Sequence, residues 1–137
     1  MDYYDWVQGQ RGRTSTVIDW DSVPAETIAD PNLSTHEGTV RKTWVGDNVV
    51  LTRVVVRPNS RGKPHSHASE QVSMILRGGA KVIIGNTETI AKAGSIVHIP
   101  GNAVHMFEIL GEETEILDVY SVRDNAEELR KQYPASA

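Results

Sequence analysis

The sequence predicts an all-β protein, an antiparallel sandwich or barrel, on three observations. Short apolar-rich segments recur at regular spacing from Gly38 onward. Turn residues (Gly, Asn, Asp, Pro) separate them. At 137 residues, 39% apolar and 23% charged, the chain is an ordinary globular sequence, long enough to bury one core.

Residues 1–38 are polar and mixed, punctuated by Gly9, Gly12, Pro24, Pro31 and Gly38. They are expected to form an N-terminal arm with short extended or helical pieces. Tyr3, Tyr4, Trp6 and Trp20 give that arm more aromatic surface than a free tail needs, so it should pack on the barrel or on a partner subunit. Residues 39–121 then read as strands: Thr39 to Val45, closed by Gly46-Asp47-Asn48; Val49 to Arg57, closed by Pro58 to Gly62; Gln71 to Leu76, ending at Gly78-Gly79; and Ala80 to Ile84, ending at Gly85-Asn86, a hairpin-type turn. Thr87 to Ala91, Ile96 to Ile99, Val104 to Leu110 and Glu115 to Tyr120 follow. Residues 122–137 differ: Asp124-Asn125-Ala126-Glu127 has the form of a capping box, predicting a short helix through about Gln132 that Pro134 stops.

Composition narrows the function classes. A net charge of −4 without a basic stripe argues against nucleic acid as a partner. No apolar run approaches the length of a membrane span and no signal-peptide pattern opens the chain, so no membrane association is expected and cytoplasm is the expected location. The absence of cysteine removes disulfides, thiolate metal sites and cysteine nucleophiles together.

The chemistry concentrates in His65-Ser66-His67-Ala68-Ser69-Glu70-Gln71 and in His105. On one extended strand His65, His67 and Gln71 would share a face, with the two imidazoles about 7 Å apart. His105 would complete a pocket for a divalent metal. Around these residues run two spaced motifs: Asn59, His65-x-His67, Gln71, Gly78, and then Gly94, Pro100-x-Asn102, His105.

This pair of motifs resembles the cupin superfamily, whose motifs run Gly, His, His, Glu, Gly and Gly, Pro, Gly, His, Asn at the same separations. The resemblance covers roughly residues 39–121. It implies a cupin fold, a double-stranded β-helix or jelly-roll-like antiparallel barrel, here with an N-terminal arm and a short C-terminal helix. It also implies one divalent transition metal (Zn, Ni, Fe or Mn) on His65, His67, His105 and a fourth ligand. Asn59 and Asn102 replace motif glycines, which suits left-handed turns, and Ile109 replaces the closing asparagine. Gln71 replaces the glutamate ligand. Glu70 is the alternative, although alternation turns it to the opposite face unless a bulge intervenes.

A neutral shell leaves the metal's charge uncompensated and favours Lewis-acid work on a carbonyl or hydroxyl. Gln71 together with Asp118-Val119-Tyr120-Ser121 looks like the small single-domain cupins of pectin and alginate catabolism, which assist conversion of 4,5-unsaturated uronates to linear ketonized sugars. Here the two prolines that follow the serine in that subgroup are missing and Arg123 stands one position early, so the contact to a substrate carboxylate is out of register.

Asp118 and Tyr120 are the catalytic candidates, for proton transfer near the metal. Arg53 and Arg41 are candidates for clamping a substrate carboxylate, and Phe107 or Met106 for keeping the site dry. His98 is expected to be structural or pocket-lining, and His36 exposed. Three functions follow: a metal-dependent lyase, isomerase or ring-opening tautomerase acting on a small-molecule substrate; a non-haem iron dioxygenase; or a non-catalytic small-molecule binder. Gln71 favours the first, because a neutral shell raises the iron potential and makes electron transfer to O₂ harder. A homodimer is expected, with the aromatic arm as its packed or exchanged element.

Overall fold

The computed structural model describes residues 17–28, 38–46 and 48–121. A 3-10 turn (Trp20–Ser22) precedes nine strands: β1 (Ala25–Thr27), β2 (Val40–Val45), β3 (Val49–Val56), β4 (Gln71–Arg77), β5 (Gly79–Ile84), β6 (Thr87–Lys92), β7 (Ile96–Ile99), β8 (His105–Ile109) and β9 (Thr114–Ser121). They form a six-stranded sheet, β1-β2-β3-β9-β4-β7, and a three-stranded sheet, β6-β5-β8. Every pairing is antiparallel. The expected antiparallel barrel is therefore present, with its strand boundaries displaced by a residue or so at most ends.

The barrel starts earlier than the sequence suggests. β1, inside the expected arm, pairs with β2 through Ala25↔Lys42 to Thr27↔Val40, so this part of the arm is an edge of the larger sheet. The 3-10 turn is tied down as well, since Lys42 Nζ donates to the Trp20 carbonyl at 2.9 Å. The expected C-terminal helix, Arg123, His36, Tyr3, Tyr4 and Trp6 lie outside the described residues. No helix among the described residues is long and apolar enough to cross a membrane.

β3 shows why these segments are strands. Its Val-Val-Leu-Thr-Arg-Val-Val-Val run is β-branched at nearly every position, and burial alternates along it. Val54 and Val56 face inward with Ile75, Ile116, Ala80, Val82, Ala91 and Ile109, which together form the core between the two sheets. Burying a side chain of this size removes apolar surface from water and is worth about 1.5–3 kcal/mol.

Register then sets the interior out in rows. β3 and β4 flank β9, giving Val54↔Ile116↔Ile75, then Thr52↔Asp118↔Ser73, then Val50↔Tyr120↔Gln71. The first row is apolar. The second is polar and buried, and the third carries Gln71 and Tyr120. One end of the barrel is thus a hydrophobic plug and the other a polar floor. Asn59 (φ 59°) and Asn102 (φ 65°) both occupy the left-handed region, as expected of asparagines standing in for glycine.

Candidate metal centre

His65 and His67 do not lie on one strand, which corrects the reading from alternation. They sit in the connection between β3 and β4, and His65 makes an isolated antiparallel bridge with His105. That bridge carries two hydrogen bonds, His65 N–H to the His105 carbonyl (3.0 Å) and His105 N–H to the His65 carbonyl (2.8 Å). Side chains of directly paired residues project on one face, and the two rings stand 4.2 Å apart between centroids. His67 follows in the loop, with its ring 5.9 Å from His65 and 5.0 Å from His105. The nitrogens that the three imidazoles can offer a metal all lie within 4.8 Å of one another.

Each ring is held the same way. Nδ1 of His65, His67 and His105 lies 2.9, 2.9 and 2.8 Å from the carbonyls of Lys63, Ser69 and Ala103. A carbonyl only accepts, so Nδ1 carries the proton in all three and Nε2 keeps its lone pair. Ser69 Oγ also sits 3.0 Å from the His67 Nδ1. Burial, together with the neighbouring imidazoles, lowers the His65 pKa and depresses that of His105 to about 4, so both rings are neutral at pH 7.

Gln71, 5% exposed, opens β4 on the inward face, and its Oε1 is 3.1 Å from His67 Nε2. Two atoms that both present lone pairs are thus brought together, and a cation between them would satisfy both. His105 Nε2 is buried and has no hydrogen-bond partner among the described residues. Three imidazole nitrogens and one amide oxygen suit a divalent transition metal, so the residues fit the ion that the sequence pattern implies. Glu70 is not among them. It points outward, where His98 Nε2 lies 2.6 Å from its Oε2, and both side chains are exposed.

Asp118 and Tyr120 face the barrel interior. Asp118 is 8% exposed; its Oδ1 accepts from Ser73 Oγ and from Gln71 Nε2 (3.3 Å), and its Oδ2 from Tyr120 Oη (3.3 Å). Burial outweighs these donors and pushes its pKa up to about 6. The Tyr120 ring meets the His67 ring edge-on at 5.6 Å. Phe107 shares the inward face of β8 with His105 and packs on the core, whereas Met106 is buried on the other face.

The two arginines do not join the site. Arg53 pairs across β9 with Leu117, one residue out of phase with Thr52↔Asp118, so it projects from the outer face. There it forms an ion pair with Glu115. Arg41 does face inward and is buried, but its Nε donates to Glu26 Oε2 on β1 at 2.9 Å. It belongs to the Val54 row, two rows from Gln71. Glu26 pairs with its charge there. Ser73 is the site residue that sequence reasoning missed; its signal was its place two positions after Gln71 on the same face of one strand.

Residues 52–120 match the cupin domain family. The fold is similar to that of KdgF from Halomonas sp., with TM-score 0.70 and 17% identity over 83% of this chain and 99% of that one. It is similar to a predicted oxalate decarboxylase from Thermotoga maritima, with TM-score 0.68 and 19% identity over 78% and 99%. The polyketide cyclase RemF from Streptomyces resistomycificus gives TM-score 0.67 and 19% identity over 88% and 95%. An uncharacterized protein of Streptomyces coelicolor is 31% identical over 55 residues, which is 40% of this chain and 52% of that protein. The chain thus spans about half the length of the curated relative it matches.

Proposed function

The chain belongs to the cupin family, and on that premise we propose that it is a metal-dependent enzyme acting as a Lewis acid on a small oxygenated substrate, by lyase, isomerase or ring-opening tautomerase chemistry. The observation that carries this reading is the buried Asp118 carboxyl, hydrogen-bonded to the Gln71 amide whose other end faces the histidines. His65, His67, His105 and Gln71 would hold the ion, which supplies polarisation of a substrate oxygen. All four donors are uncharged, so nothing in the shell offsets the ion's charge.

The remaining work falls to this chain's own side chains. A carboxyl with a pKa pushed up to about 6 exchanges a proton readily near neutral pH, as a general acid or base must. Tyr120 Oη, bonded to Asp118 Oδ2, extends the proton path toward the His67 side of the pocket. Phe107 and the core beneath it close the inner end against water. The substrate classes to examine first are unsaturated uronates, from the sequence resemblance, and enolisable ring systems, from the likeness to a polyketide cyclase.

The test is to identify the metal by elemental analysis and to assay unsaturated uronates, enols and catechol-like compounds with and without O₂. The expected result is anaerobic turnover that falls at least about 100-fold in kcat in Asp118→Asn. Turnover that consumes O₂ would replace this reading with a dioxygenase. Tight binding of a compound without turnover would make the protein a binder.

A further inference from the structure

An amide has two chemically different ends, and at position 71 the surroundings select which end faces the histidines. Gln71 Nε2 donates to Ser73 Oγ at 2.8 Å and to Asp118 Oδ1 at 3.3 Å. Ser73 in turn gives its own proton to Asp118 Oδ1. The Ser73 oxygen therefore has only lone pairs to offer Gln71, and a carboxylate oxygen offers nothing else. Turning the amide over would set its carbonyl against two acceptors in a buried place and give up both hydrogen bonds. Oε1 is left for the histidine side, 3.1 Å from His67 Nε2.

We propose that Ser73 and Asp118 act as positioning residues that lock the Gln71 amide with its oxygen toward the metal, and that Asp118 is the reason position 71 is an amide. A glutamate at 71 would bring a second carboxyl against Asp118. Between two carboxylates there is no donor unless one of them keeps a proton. The identity of the fourth ligand is thus written on β9 as much as on β4, because register sets Ser73 opposite Asp118 and leaves Gln71 one row away. Ser73 is fully buried.

The inference rests on the metal reading above, and Zn²⁺ affinity of the full chain, with the electronic spectrum of the Co²⁺ form, tests the two separately. Ser73→Ala is expected to weaken Zn²⁺ binding about 10- to 100-fold and to change the Co²⁺ spectrum, with the circular dichroism of the fold retained. A double-mutant cycle gives the second measurement. Gln71→Glu is expected to be at least about tenfold more favourable for Zn²⁺ in an Asp118→Asn background than in the wild type.

Wild-type affinity and spectrum retained in Ser73→Ala would overturn the role of Ser73. An equal effect of Gln71→Glu in both backgrounds would overturn that of Asp118. Should Ser73→Ala fail to fold, the cycle decides alone, since it leaves Ser73 in place. A wild type that binds no Zn²⁺ or Co²⁺ overturns the metal reading and this inference together.

Discussion

At the residue scale, the titrating groups of the site pull in opposite directions in the metal-free protein. Asp118 has its folded pKa raised from 3.8 to about 6 by burial. The folded state therefore binds the proton more tightly than the unfolded chain, and the resulting stability is present below about 3.8 and lost as pH rises through about 6. Two pKa units correspond to roughly 3 kcal/mol. His105 is the reverse: depressed from 6.5 to about 4, it contributes stability above 6.5 that is lost as pH falls through about 4. Across about pH 4 to 6 the two effects oppose each other, so Asp118→Asn in chelator-treated protein should leave the His105 contribution uncompensated and make Tm rise more steeply with pH through that range. Thermal unfolding followed by circular dichroism across that range checks it, and an unchanged profile would remove Asp118 as the buried carboxyl responsible.

At the element scale, the turn between β4 and β5 is held more tightly than the others. Gly78 has φ +81°, and a Cβ there would stand 2.3 Å from Thr114 Oγ1 and 2.7 Å from the Glu113 carbonyl. Thr114 Oγ1 is already committed, bonding both the N–H and the carbonyl of Gly79 at 3.1 Å. Gly85, at φ +57° in the β5–β6 hairpin, would meet nothing within 4 Å. Gly78→Ala should therefore cost about 2–3 kcal/mol, from backbone strain and crowding together, and Gly85→Ala only the backbone part, about 1 kcal/mol. Urea unfolding of the two variants compares them directly; equal losses would show that Thr114 yields freely. The turn matters to the site because β4 runs from this glycine back to Gln71, and its single register shift lies between Ile75 and Arg77, near the turn and away from the ligand.

At the scale of the whole molecule, binding at the proposed centre would be linked to folding, because the donors come from distant parts of the chain. His65 and His67 precede β4, Gln71 begins it and His105 begins β8. An unfolded chain does not hold these groups together, so the ion stabilises the folded state by mass action. Zn²⁺ at about 100 times its Kd should add about 2.7 kcal/mol, on the order of 10 °C in Tm for a domain of this size, and a chelator should reverse it. Scanning calorimetry with and without Zn²⁺ measures this. A Tm indifferent to the metal would contradict the proposed centre.

Much was legible in the sequence, for local reasons. Alternation of β-branched and polar residues marked the strands, asparagines and glycines the turns, and two histidine motifs at cupin spacing the fold and the three clustered imidazoles. Periodicity also turned Gln71 inward and Glu70 outward, since a one-residue step on a strand reverses the face. Alternation, however, separates two faces without saying which is buried, and it says nothing about which strand lies alongside. That is why Arg53 reads as well for the interior as for the outer face where Glu115 holds it, and why Arg41 gives no sign of Glu26. It is also why His65 and His67 read as one strand, when the bridge to His105 is what brings their rings together. The hydrogen bonds from Gln71 and Ser73 to Asp118 span more than forty residues of sequence. The sequence alone carried the fold class and the three histidines that cluster in the barrel, because both rest on local spacing; pairing across the barrel, which depends on burial and register, decided which side chains stand beside them.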